Sequence, residues 1–279
     1  MTTLELPEIE TLRRDLDRDI TTRKIKAAEA IGLKSFPALK TKKELDEHLI
    51  GAKVDLVERV GLVIIIRLDN EHALTIQLGE HGRLERSSGR TKVASDVVAV
   101  VGFTQGGDLR IADKKGSSQV HIVHNDDLQT VLPSPETLGL DLLEKPLSWV
   151  EFGHLLKAHN LPLKVMLTDS QIFVGIGDIY SNEILFDAGL RHDRISAELS
   201  TQEIRRLYRS VVGIMHEAIK HRGTSTEDRP FFDLSGEPGQ FAEHLAVFGK
   251  DGDLSPRSRE PIQKTSFKHQ VVYFCKTQV

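Results

Sequence analysis

Cysteine is nearly absent from this sequence: its 279 residues include only Cys275. A single cysteine excludes an internal disulfide and cannot by itself supply a thiolate-rich zinc site. No stretch approaches the roughly eighteen apolar residues that a membrane span requires. The opening residues Met1-Thr2-Thr3-Leu4-Glu5 lack the basic-then-apolar order of a signal peptide. We therefore expect a soluble cytoplasmic protein with no metal, no cofactor and no membrane partner.

An excess of positive charge is also missing. The 37 lysines and arginines face 41 acids, for a net charge of −4. This excludes a uniformly basic coat, so any nucleic-acid surface must be a local patch. Two stretches are locally basic: residues 21–43 hold seven basic residues against one acid, and residues 249–279 hold six against three. The composition is otherwise globular, and the length favours two domains.

The order of patterns predicts a helix followed by strands. Ile9, Leu12, Leu16 and Ile20 recur at helical spacing behind Pro7, which suits a first helical turn. Apolar, β-branched segments then follow one another at short spacing, which is typical of an antiparallel sandwich or barrel. The predicted strands are Val60–Leu68, His72–Gly79, Val97–Thr104, Leu109–Ala112 and Gln119–His124.

The second half of the sequence has a helical period. Pro133, Pro135 and Pro146 mark a domain boundary before it. A capping-box pattern of Ser200 and Glu203 predicts a secure helix start. The predicted helices are Trp149–His159, Asn182–Ala188 and Thr201–His221, and Val271–Phe274 is predicted to form one strand of a terminal hairpin.

Four strings of residues, in matching order, carry a resemblance to a known family. They are Leu4–Thr11, Asp169–Glu183, Gly236–Phe241 and Val247–Gly252. They resemble the formamidopyrimidine-DNA glycosylase and endonuclease VIII family. The resemblance implies an α+β fold in three segments. These are an N-terminal helix with an antiparallel β-sandwich at 1–132, a helix-two-turn-helix domain at 146–225, and a C-terminal hairpin in place of a zinc finger at 226–279.

The family excises oxidised bases that are flipped out of DNA, and it then cuts the backbone. The resemblance implies that the nucleophile is the amine of an N-terminal proline, which forms a Schiff base with the sugar. That position is Leu4 here, and the position of an assisting lysine is Leu62. The acid-base glutamate survives as Glu5, and a second glutamate survives as Glu8. The sequence therefore predicts that the family's lyase chemistry is lost.

The same resemblance implies a set of DNA contacts. Lys164 matches a phosphate-contacting lysine, and Asp178 replaces an asparagine that would donate to phosphate. Thr224 and Ser225 match a loop that closes over an extruded base, and Gln270 replaces an arginine at the hairpin tip. The candidate nucleic-acid residues are Lys164, Gly175, Gly177, Asp178, Tyr180, Thr224, Ser225, Lys268 and Gln270.

Other family positions are altered. Glu80 stands where an apolar wedge is expected, and Gly116 and Ser117 replace an intercalating arginine–phenylalanine pair. The four zinc cysteines correspond to Ser255, Ser258, Cys275 and Gln278, which cannot hold zinc tetrahedrally.

Three interpretations follow. The first is a monomeric, base-excision-repair-related protein that binds DNA, including damaged duplex, and lacks the lyase. The second is an active glycosylase that uses Glu5 and water on damaged bases; a Schiff base formed by the α-amine of Thr2, after removal of Met1, is considered beside it as a separate route to activity. The third is a protein-interaction scaffold without DNA binding. The changes at Leu4 and Leu62 favour the first.

Overall fold

The computed structural model describes residues 4–31, 42–145 and 147–279. The chain packs into two compact units. The first comprises Leu4, Glu8–Ser134 and Arg222–Gln240, and the second comprises Glu5–Pro7, Pro135–His221 and Phe241–Val279. The segment 222–240 thus packs with the strands, although in sequence it follows the helical region. The fold is α+β, with a long N-terminal helix, two antiparallel sheets and a helical unit that carries a hairpin.

Helix α1 (Leu6–Ile20) begins as predicted at a proline-containing first turn. The other elements of the first unit are a short helix and eight strands. They are β1 (Ile25–Ala30), α2 (Lys42–Leu49), β2 (Val54–Val60), β3 (Val63–Leu68), β4 (His72–Gln77), β5 (Gly82–Ser87), β6 (Val97–Phe103), β7 (Asp108–Asp113) and β8 (Gln119–His124). A 3₁₀ turn at Asn125–Thr130 follows β8.

The strands form two four-stranded antiparallel sheets, in the orders β1-β6-β7-β5 and β2-β3-β4-β8. Both sheets and α1 contribute side chains to one shared core, which is the predicted sandwich arrangement. Strand β3 shows why its sequence is apolar throughout. Ile64 and Ile66 face that core, and Ile65 packs with Leu128 on the other face. Both faces of this strand are therefore buried.

The prediction of a single strand over Val60–Leu68 is wrong. The chain turns at Gly61 and Leu62, where Gly61 has φ of 60°, and β3 starts only at Val63. A left-handed glycine between two β-branched runs closes a tight hairpin, so a continuous apolar string hides a turn.

Helix α1 also protects the free edge of β2. The backbone N–H of Val57 donates to the Asp17 carboxylate at 3.2 Å, and Arg13 donates to the Val57 carbonyl at 3.4 Å. Side chains thus occupy backbone groups that an edge strand would otherwise offer to another chain.

The second unit contains four helices and a terminal hairpin. They are α3 (Trp149–Ala158), α4 (Leu163–Thr168), α5 (Asp178–Ala188), α6 (Thr201–Lys220), β9 (Gln263–Phe267) and β10 (Gln270–Phe274). The predicted capping box of α6 is present, with Ser200 and Glu203 bonding reciprocally. Helix α5 begins at Asp178, four residues before the predicted start. None of the described helices is long and apolar enough to cross a membrane.

Two polar side chains of α5 hold the C-terminal part of the second unit: Asn182 holds the hairpin, and Glu183 holds the loop that precedes it. Asn182 accepts from the Tyr273 backbone N–H at 2.8 Å and donates to the Val271 carbonyl at 3.2 Å. The buried Glu183 carboxylate accepts backbone N–H groups of Ala246, Val247 and Phe248 at 2.7–2.9 Å. Burial raises the pKa of Glu183 against these hydrogen bonds.

In the first unit, Glu10 joins α1 to the β2–β3 hairpin. Its buried carboxylate accepts from Arg13 at 3.0 Å, Arg14 at 2.7 Å and Arg59 at 2.8 Å. Burial acts to raise the pKa of Glu10, but the hydrogen bonds from Arg13, Arg59 and Arg14 outweigh it and lower the pKa from 4.5 to about 2. The folded state therefore favours the carboxylate, and its stabilisation is present above pH 4.5 and lost as the pH falls toward 2.

We expect Glu10→Gln to lower the free energy of unfolding at pH 7 by about 2 kcal/mol, because three arginines lose their shared anion. The difference from wild type should shrink as the pH falls below 4.5, as measured by urea unfolding across a pH series. The matched control is Glu47→Gln, which removes an exposed pair with Lys43 and should cost less than about 0.5 kcal/mol. A Glu10→Gln deficit that is independent of pH would contradict this account.

Candidate nucleic-acid interface

The Glu5 carboxylate lies at the N-terminus of α5. It accepts backbone N–H groups of Gly177 at 2.6 Å, Ile179 at 2.8 Å and Tyr180 at 3.3 Å, and Glu5 is 5% exposed. A Cβ on Gly177 would lie 2.6 Å from the Glu5 Cδ, so glycine is required for this approach. The carboxylate satisfies amides that the first helical turn leaves unpaired, and it lies at the positive end of the helix dipole.

Glu8 holds the segment that follows α6. Its carboxylate accepts the Thr224 backbone N–H at 2.8 Å, and Glu8 is 2% exposed. Next to it, the Ser225 hydroxyl accepts the Phe231 backbone N–H at 3.0 Å. The structure thus gives Glu8, Thr224 and Ser225 turn-stabilising contacts within the first unit.

Leu4 and Leu62 both pack as aliphatic side chains against the sandwich core. Leu62 lies in the β2–β3 turn, not within a strand as the sequence suggested. The α-amine of Thr2, considered as a separate route to activity, lies outside the described residues. Neither leucine carries a nitrogen that could attack a sugar or donate a proton.

Lys164 is completely buried. Its ammonium donates to the Ser181 hydroxyl at 2.7 Å and lies 3.4 Å from an oxygen of Asp178. Asp178 is the first residue of α5, where a carboxylate is also favoured by the helix dipole. The pair of positions predicted to hold a phosphate therefore holds an internal ion pair.

The remaining helix-two-turn-helix residues shape the turn before α5. Gly175 has φ of 64°, and its carbonyl accepts the Leu6 backbone N–H at 2.8 Å. The Tyr180 ring is buried and contacts Phe241 with ring centroids 5.8 Å apart. The structure thus gives Tyr180 a packing contact and gives Gly175 a left-handed turn.

The hairpin tip displays Lys268 and His269 in an unusual backbone conformation. Lys268 and His269 have φ of 47° and 66°, a region that costs non-glycine residues of order 1 kcal/mol each. Both side chains are exposed at the turn. Gln270, in contrast, points inward and donates to the Thr168 hydroxyl at 2.7 Å. Lys268 is therefore presented to solvent, and Gln270 supports the base of the tip.

Two turns of the first unit contain Glu80, Gly116 and Ser117, the positions at which the sequence resemblance implied DNA-inserting side chains. Asp113 closes one of them by accepting the backbone N–H groups of Lys115 and Gly116 at 2.9 Å, and of Ser118. Burial acts to raise the pKa of Asp113, but these hydrogen bonds outweigh it and lower the pKa. The Ser118 hydroxyl also accepts the Gly79 backbone N–H at 2.9 Å, which ties the two turns together. Short, cross-linked turns of this kind have no apolar side chain to insert into a duplex.

A cavity of about 410 Å³ opens beside these turns on the first unit. Leu4, Leu12, Phe231 and Phe232 give it an apolar lining, and Arg229 is one of the charged residues at its rim. Phe232 is 43% exposed. Residues 228–232 are not predictable as part of a site, because the aromatic pair after Pro230 lies in a stretch without helical or strand periodicity.

Both halves of the chain match known proteins. Family models match the formamidopyrimidine-DNA glycosylase N-terminal domain at residues 4–120 and its H2TH domain at residues 138–229. The formamidopyrimidine-DNA glycosylase of Moorella thermoacetica is 30% identical over 262 residues, which cover 93% of each chain. The chain belongs to the formamidopyrimidine-DNA glycosylase family.

Other members are similarly related. The formamidopyrimidine-DNA glycosylase of Pelotomaculum thermopropionicum is 29% identical over 273 residues, covering 98% of each chain. The crystal structure of MutM (Fpg) from Thermus thermophilus has a TM-score of 0.82 at 25% identity, covering 98% of this chain and 97% of that one. Lactococcus lactis Fpg in complex with abasic-site DNA shares the fold, with a TM-score of 0.85 at 23% identity and 97% coverage of both chains.

The residues that the resemblance matched to zinc cysteines, Ser255, Ser258, Cys275 and Gln278, lie close to one another. Gln278 accepts the Cys275 backbone N–H at 2.9 Å and donates to the Leu190 carbonyl at 2.9 Å. Burial acts to raise the pKa of the Cys275 thiol, but hydrogen bonds with Thr277, Ser255 and Ser258 lower it below its usual value. One thiol, two hydroxyls and an engaged amide do not fit tetrahedral zinc. Among the described residues, no group of three or more histidines, cysteines or acids is placed to bind a metal.

The placement of Glu5 predicts a structural effect that is separable from catalysis. Glu5→Gln should lower the free energy of unfolding by about 2 kcal/mol, because the neutral amide loses charge and one acceptor at the α5 N-terminus. Urea unfolding measures the change. The control Glu198→Gln, at an exposed position, should be silent, and unchanged stability of Glu5→Gln would contradict the capping role.

Proposed function

We propose that this family member binds duplex DNA in a base-excision-repair context and lacks the Schiff-base lyase chemistry. The observation that carries the proposal is Leu4, an aliphatic residue packed on the core at the nucleophile position. Leu62 removes the assisting amine in the same way. A Schiff base requires a nucleophilic nitrogen, and neither position supplies one.

The glutamate-and-water alternative receives less support from the contacts. A general base must accept a proton from water at hydrogen-bond distance. The Glu5 oxygens are already engaged by three backbone amides at the α5 N-terminus. This arrangement favours the charged carboxylate as a cap and leaves it poorly suited to activate water.

DNA binding in this proposal is weak and depends on exposed cations. Lys164 is neutralised by Asp178 and buried, so the main phosphate contacts must come from elsewhere. Lys268 at the hairpin tip is exposed and held in a conformation with a conformational cost, as is common at functional sites. We include in the proposal that the protein acts in the cytoplasm as a monomer.

The decisive experiment is borohydride trapping on duplexes that carry 8-oxoguanine or an abasic site. We expect no covalent adduct, together with a gel shift at low salt that weakens as salt rises, because phosphate contacts release counterions. A trapped adduct would contradict the loss of the lyase. Base release that Glu5→Gln abolishes would favour the second interpretation, and the absence of any low-salt shift would favour the scaffold.

A second prediction concerns the internal ion pair. Asp178→Asn should strengthen duplex binding by about tenfold and steepen the log–log salt dependence by about one, because Lys164 is freed and an amide donor is added. Asp193→Asn provides the control, since it makes the same charge change at an exposed pair with Arg191. If the two variants changed duplex binding equally, the effect would come from net charge alone, which would contradict a specific role of the Lys164–Asp178 pair.

A further inference from the structure

The outward face of α6 is a basic stripe that the proposed function does not use. Arg205, Arg209, Gly213, His216 and Lys220 recur at three- and four-residue spacing and are all exposed. We call these five residues the α6 outer face. At 1.5 Å per residue they span about 22 Å along the helix. The buried side of α6 carries the apolar residues that pack into the second unit.

The charges of the α6 outer face are largely uncompensated. Within the described parts of the chain, Arg209 makes no ion pair or hydrogen bond. The Arg205 guanidinium lies over the Trp149 ring at 4.1 Å, which leaves its charge in place. Lys220 is paired with Glu217 at 3.0 Å. This face is therefore net positive on a chain whose overall charge is −4.

Nothing in the described part of the chain explains the glycine at position 213. Glycine inside a helix costs about 1 kcal/mol relative to alanine. An added Cβ at Gly213 would meet no atom within 4 Å, and its φ is not positive. Every other described glycine has either a positive φ or an atom within 4 Å of the built Cβ. Because Gly213 has no side chain, another backbone can approach α6 closely at the centre of this charged face.

We propose that the α6 outer face docks an acidic helical segment of a partner protein, which crosses α6 at Gly213. Carboxylates of that segment pair with Arg205 and Arg209, which lie on one side of the crossing. A helix needs a small residue at the crossing point for close packing, whereas a phosphate backbone needs only cations. Val150, 43% exposed at the start of α3, adds an apolar contact near Trp149. This inference does not rest on DNA binding.

The probe for this face is a synthetic helical peptide of about twenty residues, rich in glutamate and alanine, and followed by fluorescence anisotropy. We expect saturable, salt-sensitive binding to the full chain. Arg209→Glu and Gly213→Leu should each weaken it by about tenfold or more. Lys276→Glu, an exposed change of the same charge, should leave it unchanged.

Thermal unfolding of each variant serves as the control for correct folding. Gly213→Ala and Gly213→Leu should raise the unfolding midpoint, since each removes a helix-interior glycine. A destabilised Gly213→Leu would show that the position has an internal role and would overturn the inference. The inference would also be overturned if the peptide did not bind, or if Arg209→Glu and Lys276→Glu weakened peptide binding equally.

Two further outcomes would also overturn it by assigning the face to a different occupant. If Arg209→Glu weakens duplex DNA binding and spares the peptide, the face is a nucleic-acid contact. If size-exclusion chromatography shows a dimer that Arg209→Glu dissociates, the occupant is a second copy.

Discussion

The capping of α5 by Glu5 is the interaction on which the second unit depends. Three backbone amides at a helix start require an acceptor, and the helix dipole favours a charged one. Because Gly177 leaves space only for this carboxylate, the two residues constrain each other. A glutamate at this position therefore has a structural role that does not depend on any part it plays in chemistry. Retention of a catalytic-looking acid is weak support for activity.

In the second unit, a buried positive charge is neutralised by a carboxylate of the protein itself. Lys164 and Asp178 neutralise each other where the resemblance places a phosphate contact, and the Ser181 hydroxyl completes the lysine's environment. Burial makes an unpaired ammonium costly, so the aspartate stabilises the lysine that would otherwise need an external anion. With Asp178 in place of the asparagine that the resemblance implied, the anion that pairs with Lys164 belongs to the protein and not to a bound phosphate. In the proposed function, binding of DNA then relies on exposed cations such as Lys268.

Sequence patterns are sufficient for the helices with marked ends and for isolated strands. Ser200 sets the start of α6 correctly, and β8 is predicted with its observed ends. Patterns fail where an apolar string contains a turn, as at Gly61, because periodicity does not report φ. They also place the start of α5 four residues late, because its cap is Glu5, more than 170 residues away. Burial of Lys164 and the long-range contacts of the site are tertiary properties, which no local pattern specifies.

The C-terminal hairpin is held in place by polar contacts with a neighbouring helix. Its two strands are too short to be stable alone. Here the stabilising contacts come from α5, through Asn182 bonded to the hairpin backbone and Glu183 bonded to the preceding loop. Cys275 and its neighbours Ser255, Ser258 and Gln278 form hydrogen bonds with one another. Because α5 is in turn capped by Glu5, the hairpin tip with Lys268 is positioned by the first residues of the chain.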